Sequence, residues 1–408
     1  MRALSKKNVI LYPFNRHRYV QFWGIKNLFS TMNPIYLDNA ATTQMYPEVI
    51  EVMQVSMAEN FGNPSSTHQF GRKAKATVET ARKNIAKHFK VAAAEIIFTS
   101  SGTEADNLIL QNAVSNLGVT RIITTKIEHH AVLHTCEFLE KSQQIVLEFV
   151  AVDILGNIDL EHLETLLKSS GAKTLVSLMM INNEIGNILP IEMVANLCKS
   201  NNALFHSDTV QVIGHYPLDL QSIKVDFIVA SAHKFHGPKG VGFAFFRKGF
   251  GILPMLHGGD QEKGARSSTE NVHAIVGMEK ALEIAQSAME KDKKQLLEVK
   301  TYFISELHKI SEEIEFNGLS GEVDGGSYAI LNVRFPVENA MLLFSLDLAG
   351  IAVSGGSACQ SGSNSGSHVL SEILFGAEEA KTSIRFSFSR FTQKKDIDFT
   401  ISKLKELL

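Results

Sequence analysis

Residues 203–208 read Ala203-Leu204-Phe205-His206-Ser207-Asp208, and residues 227–234 read Phe227-Ile228-Val229-Ala230-Ser231-Ala232-His233-Lys234. Each is a short apolar run that ends in an ionisable side chain. Runs of this length suit strands buried on both faces, which belong to parallel sheets covered by helices. The same alternation continues outward. Residues 67–89 read as an amphipathic helix, 95–99 as a strand, and a helix begins near Gly102. Strand patterns at 121–125, 145–152, 174–180 and 241–247 are interleaved with helical patterns at 161–168 and 191–200. The spacing predicts an α/β fold with a mostly parallel sheet. Ligands of such sheets sit beyond the carboxyl ends of the strands, so the residues just after each strand matter most.

The pattern changes near Asn271. Residues 278–310 contain no Gly or Pro and predict a long helix, starting after Gly277, that links two domains. Beyond it, 328–335, 338–348, 383–389 and 394–408 read strand, helix, strand, helix, a smaller α+β domain. The Gly/Ser-rich stretch 354–367 carries Cys359.

Composition excludes several function classes. The 408 residues hold 40 Lys plus Arg against 43 Asp plus Glu, a formal charge of −3. A near-neutral chain is not built around nucleic acid or an anionic membrane. The best apolar run, 175–181, is far short of the roughly 18 residues that cross a bilayer. Cys136, Cys198 and Cys359 form no C-x-x-C and are odd in number, which argues for a reducing compartment such as the cytoplasm. Residues 1–31 carry Arg2, Lys6, Lys7, Arg16, Arg18 and Lys26 and no acid, the first acid being Asp38. They read as a mitochondrial-type transit leader or as an over-long start, with Met32 the true first residue, and stand outside the fold.

Four strand ends carry chemistry. Phe98-Thr99-Ser100-Ser101-Gly102-Thr103-Glu104 runs from strand into helix, and the free N–H groups of such a start can cradle a phosphate. The plainer reading is a capping box between Ser101 and Glu104. Asp208 is either a cap or the partner of a cation in the cleft, and His206 reads as a satisfied structural histidine. Lys234 either snorkels to solvent or serves as a desolvated, nucleophilic amine. Ile127-Glu128-His129-His130 offers adjacent histidines, but without H-E-x-x-H or a third ligand at helical spacing it predicts no metal. Its competing reading is an aromatic base beside a planar cofactor. A phosphate cradle, a strand-end acid and a strand-end lysine together suit pyridoxal phosphate, whose pyridine nitrogen the acid would keep protonated.

At these residues the chain resembles the cysteine desulfurases of the class V aminotransferase superfamily, pyridoxal-phosphate enzymes of fold type I. The resemblance runs from Tyr36 to about Leu408. It rests on Tyr36-Leu37-Asp38-Asn39-Ala40-Ala41-Thr42-Thr43, Gly62-Asn63-Pro64-Ser65-Ser66, the 99–107 turn, Glu128-His129, Asn182-Asn183-Glu184-Ile185-Gly186, Ser231 to Lys234 with Gly237-Pro238-Lys239-Gly240, residues 266–271, Ser357-Ala358-Cys359, and Ser383-Ile384-Arg385-Phe386-Ser387. It implies a large cofactor-binding domain over 44–288 and a small domain made of 32–43 and 289–408. Lys234 would bind the cofactor covalently. Asp208 would pair with its pyridine nitrogen and Gln211 with its phenolic oxygen. Gly102, Thr103, Ser231 and His233 would hold its phosphate, and Thr269 would reach the phosphate of the other subunit in a homodimer. His129 would stack on the ring and move protons. Asn183 and Arg385 would bind the substrate carboxylate.

Cys359 would take sulfur from L-cysteine as a persulfide, leaving alanine, for iron–sulfur or other sulfur-cofactor assembly through an acceptor or scaffold protein. Val369 lies ten positions further on, as in the long-loop group. The resemblance includes no C-terminal extension of the kind with which housekeeping members dock their scaffold, so the acceptor stays open. Ser268 stands where the family usually has glycine. A selenocysteine lyase on the same scaffold, and a non-catalytic sulfur relay or assembly scaffold, are the alternatives. Cys136 and Cys198, in helical patterns, read as small buried hydrophobes.

Overall fold

The structure is a computed structural model that describes residues 34–355 and 366–408; residues 1–31, read from the sequence as a leader or an over-long start, and Cys359 lie outside the described residues. In chain order the elements are β1 (Ile35–Tyr36), α1 (Pro47–Glu59), α2 (Gln69–His88), β2 (Ile96–Thr99), α3 (Gly102–Ser115), β3 (Arg121–Thr124), α4 (His130–Gln143), β4 (Val146–Phe149) and α5 (Leu160–Lys168). There follow β5 (Thr174–Ser177), α6 (Ile191–Ser200), β6 (Leu204–Asp208), β7 (Phe227–Ser231), β8 (Gly242–Phe246) and α7 (Val272–His308). The last are β9 (Glu315–Phe316), β10 (Ile330–Arg334), α8 (Leu342–Leu348), β11 (Ile351–Ala352), α9 (Ala377–Ala380), β12 (Ser383–Ser387) and α10 (Lys394–Leu407).

A seven-stranded sheet in the order β2-β8-β7-β6-β5-β3-β4 forms the centre. β8 runs antiparallel to both neighbours and the other pairs are parallel. β2, β3, β5, β6 and β7 therefore point the same way, and their carboxyl ends share one edge. β2, β3, β5, β7 and β8 are buried along their whole length, as the apolar runs predict. One face packs on α2, whose Ala74, Val78, Ala81 and Ile85 recur at helical spacing, and on the first half of α7. The other face packs on α3 and α4. A separate core joins Leu296, Val299, Phe303 and Leu307 of α7 to β10, β12 and α10, and takes in Leu37. There β12-β10-β9 form an antiparallel sheet, and β1 pairs in parallel with β11.

Three sequence expectations are corrected. The long helix begins at Val272, not after Gly277, because Gly277 is a contact point and not a break. A Cβ there would lie 2.6 Å from Met53 Sδ, so glycine lets α1 lie against α7. The helix expected over 338–348 shortens to α8, Leu342–Leu348. Asp208 is the last residue of β6 itself and not a residue beyond it.

Candidate functional site

The carboxyl ends of the sheet close around a cavity of about 190 Å³. Its lining brings together Gly102, Thr103, His129, Asn183, Asp208, Gln211, Ser231, His233, Lys234 and Arg385, ten residues singled out from the sequence. Thr269 is elsewhere, in a separate cavity with Arg266 and Ser268.

β2 delivers the chain to α3 through Ser101, whose extended backbone and hydroxyl cap the helix by accepting the Glu104 N–H at 3.1 Å. The reciprocal half of the capping box is missing. The Glu104 carboxylate instead takes the Ser100 N–H and the Arg266 guanidinium. The first-turn N–H groups of Gly102 and Thr103 have no intrahelical acceptor and face the cavity. Gly102 is required by close approach, since a Cβ would meet Val210 Cγ2 at 2.8 Å. This corner is a ready anion cradle.

β7 ends at Ser231 and turns through a short 3-10 segment, Ala232–Lys234. The Lys234 ammonium is neither sealed in the core nor released to solvent. It donates to the carbonyls of Ala40 at 2.6 Å and Ala41 at 2.9 Å, in the loop after β1. The same loop is stitched to His233 through Thr42 Oγ1 at 3.1 Å and Thr43 Oγ1 at 2.8 Å, and Gln211 Nε2 donates to the Ala40 carbonyl at 3.0 Å.

Asp208 is buried and accepts the Val210 N–H at 2.8 Å. Burial pushes its carboxyl up to about 6, and the Val210 bond and the charge of Lys234 work against that rise. A buried acid in a concave site gains most from a cationic partner placed inside the cavity. His129 is the N-cap of α4, and its Nδ1 accepts the Ala131 N–H at 3.1 Å. That bond leaves the proton of the neutral ring on Nε2. Burial, then the nearby charge of Lys234, brings its pKa down to about 4, so the ring is neutral at physiological pH. His233 is likewise brought down to about 4 by burial and by Lys234.

Arg385, from the middle of β12, is 1% exposed. It donates to the Asn183 carbonyl at 2.8 Å and to Asp38 Oδ1 at 2.9 Å, and its Nε is buried without an acceptor among the described residues.

Two features escape the sequence reading. His206 is not fully satisfied: Nδ1 meets Ser177 Oγ at 2.9 Å, but Nε2 has only Asp106 Oδ1, 3.4 Å away. Asp106 itself was not singled out, although it lines the cavity. Its signal is an acid one turn after Thr103 amid Ala105, Leu108 and Ile109, on the face a helix buries. Cys136 and Cys198 are buried in α4 and α6, and burial pushes both thiols far above their ordinary range. Among the described residues no group of His, Cys, Asp and Glu is placed to hold a metal ion. No described helix is long and apolar enough to cross a membrane.

Residues 35–399 match the family model for class V aminotransferases. The chain is 43% identical over 378 residues to the cysteine desulfurase IscS of Dictyoglomus turgidum, spanning 92% of this chain and 94% of that protein. It is 39% identical over 386 residues to the cysteine desulfurase IscS of Methanosarcina thermophila, spanning 94% of each. Among solved structures it superposes on a NifS-like protein with a TM-score of 0.84 and 36% identity, covering 92% of this chain and 99% of that one. A NifS-like protein of Rickettsia africae gives a TM-score of 0.81 and 34% identity over 92% and 99% of the two chains.

Proposed function

The chain belongs to the class V aminotransferase family, and on that premise we propose how its residues divide the work of a cysteine desulfurase. It is a pyridoxal-phosphate-dependent enzyme that converts L-cysteine to L-alanine. The observation that carries the assignment of roles is one cavity holding a buried carboxylate, a lysine amine and the open start of a helix: Asp208, Lys234 and α3. These groups fit the cofactor. Gly102 and Thr103, with Ser231 and His233, hold the phosphate on the N–H groups of α3. Asp208 takes the pyridine nitrogen, Gln211 the phenolic oxygen, and Lys234 the covalent link. When bound, the cofactor supplies an electron sink for the bonds around the substrate's α-carbon.

The chain's own groups do the rest. Arg385 and Asn183 fix the substrate carboxylate. His129, neutral with its proton on Nε2, would start as a proton donor beside the bound cofactor. The Lys234 amine would accept and return protons beside the substrate's α-carbon. The thiolate of Cys359 forms a bond to the substrate sulfur as the carbon–sulfur bond breaks. The electron pair goes to carbon, which a proton then completes to alanine, and Cys359 keeps the sulfur as a persulfide. Cysteine plus one enzyme thiol thus becomes alanine plus one persulfide. That persulfide is passed to an acceptor or scaffold protein for iron–sulfur or other sulfur-cofactor assembly.

The working form is a homodimer in which Thr269 reaches the phosphate bound by the partner subunit, which accounts for its absence from the main cavity. Residues 44–288 act as the large domain, 32–43 with 289–408 as the small one, and the enzyme works in the cytoplasm. Borohydride treatment of the holoenzyme, followed by peptide mass spectrometry, tests the lysine. Cofactor mass fixed on Lys234, and lost together with turnover in Lys234→Ala, is the expected result. Near-normal turnover by Lys234→Ala overturns the assignment.

A further inference from the structure

In the cavity lining and just beneath it lie two buried polar side chains with no role in the scheme above. Asp106 is 1% exposed and His206 is 0% exposed. Asp106 Oδ1 and His206 Nε2 are 3.4 Å apart, and neither atom hydrogen-bonds to any other group among the described residues. The arrangement is built by regular structure. Asp106 sits one helical turn after Thr103, so both look from α3 toward the cavity. His206 is two residues before Asp208 on β6, on the same face of the strand. Its neighbour in register on β5 is Ser177, whose Oγ meets His206 Nδ1 at 2.9 Å.

We propose that Asp106 and His206 form a neutral positioning pair, in which the Asp106 carboxylic acid donates its proton to His206 Nε2 while His206 Nδ1–H donates to Ser177 Oγ, leaving Asp208 to carry the negative charge beneath the ring. The inference rests on the reading that Asp208 faces the pyridine nitrogen.

Asp106 and Asp208 line this cavity and Glu128 is buried nearby; the fields of Asp208 and Glu128 raise the cost of ionising Asp106, and that of Asp208 raises the cost of ionising Glu128. Burial, then the fields of Asp208 and Glu128, holds the Asp106 acid well above the carboxylate range, and burial brings His206 down to about 3. Both groups are thus in their uncharged forms. A donor on one and a lone pair on the other then satisfy the two atoms that are otherwise orphaned. His206 holds the acid proton away from Asp208. Without that acceptor the proton turns to Asp208, which then grips the pyridine nitrogen less strongly. Asp106 and His206 act through Asp208 and touch no substrate.

Infrared spectroscopy of the full-length enzyme tests the charge state directly. The difference spectrum between wild type and Asp106→Asn should show one carboxylic-acid carbonyl stretch that shifts in D2O, with or without cofactor, the buried Glu128 acid contributing equally to both and cancelling. Asparagine is also neutral and can donate to His206 Nε2. Asp106→Asn should therefore leave the pH titration of bound-cofactor absorbance in place, while His206→Leu moves it by about one pH unit or more. The double variant Asp106→Leu, His206→Leu, in which neither a carboxyl proton nor an amide can turn to Asp208, should return toward wild type. An unchanged acid band in Asp106→Asn, or a full-unit shift of the cofactor titration by that variant, overturns the proposal. Loss of borohydride labelling at Lys234 in wild type would instead fault the cofactor assignment, and the infrared result would still report on Asp106.

Discussion

Arg385 and Asp38, 347 positions apart in the chain, form an ion pair at 2.9 Å beside the cavity that Arg385 lines. A carboxylate already occupies part of the guanidinium fork, and the Asn183 carbonyl occupies another N–H. Asp38 thus orients Arg385, and if Arg385 receives the substrate carboxylate, as proposed above, that carboxylate must share or displace Asp38. An ammonium in place of the fork cannot satisfy Asp38, the carbonyl and a substrate together. Arg385→Lys should raise KM for L-cysteine about 10-fold or more, the usual weight of a charged hydrogen bond, with a smaller change in kcat. Steady-state kinetics decides; a KM within twofold of wild type would remove Arg385 from substrate binding.

Asp208 sets a pH dependence in the cofactor-free protein. Its folded pKa, about 6, lies above the ordinary value of 3.8. Between those two values the folded chain binds more protons at this site than the unfolded one, so stability falls as pH rises. The loss is complete above about 6 and amounts to roughly 3 kcal/mol by the size of the shift. Asp208→Asn carries no such charge. Denaturant titrations should show the cofactor-free variant gaining on cofactor-free wild type as pH goes from 4 to 7. On adding pyridoxal phosphate the order should reverse, because the wild-type carboxylate then has its cation. A variant that tracks wild type at every pH would mean that Asp208 is not buried as a charge. The same variant should lose at least about 10²-fold in turnover, the scale of a preorganised electrostatic contact.

Ser268 holds φ of 118°, a region that favours glycine, and its N–H is tied to Gln261 Oε1 at 3.2 Å. A side chain there costs backbone energy that a glycine does not. Ser268→Gly should stabilise the protein by about 1 kcal/mol, read as a higher denaturant midpoint, and should leave turnover unchanged. A lower midpoint would show that contacts of the Ser268 side chain outweigh the strain.

Much of the site is written in local sequence. Lys234 and Asp208 announce themselves because each closes an apolar run, and Gly102 because small residues join a strand to a helix. The central sheet is legible for the same reason, since its strands are apolar throughout. What the sequence hides is non-local. Nothing near Asp38 points to Arg385, because the segment after β1 meets β12 only through the fold. The reversal of β8 is invisible, since a buried antiparallel strand has the same apolar pattern as a parallel one. Gly277 reads as a stop only because its partner, Met53, lies on a distant helix. Asp106 hides among core residues of α3, and its meaning depends on His206 one layer below.

The central claim is that sulfur leaves L-cysteine for Cys359. The most direct measurement is mass spectrometry of the enzyme quenched after one anaerobic turnover without reductant. The peptide containing Cys359 should gain about 32 Da, one sulfur atom, matched by one alanine released. Cys359→Ser should bind the cofactor and respond spectrally to L-cysteine, yet release little alanine and carry no added sulfur. The buried Cys136 and Cys198 should stay unmodified in both. Added sulfur on either of those two with none on Cys359, or undiminished alanine release by Cys359→Ser, would contradict the account.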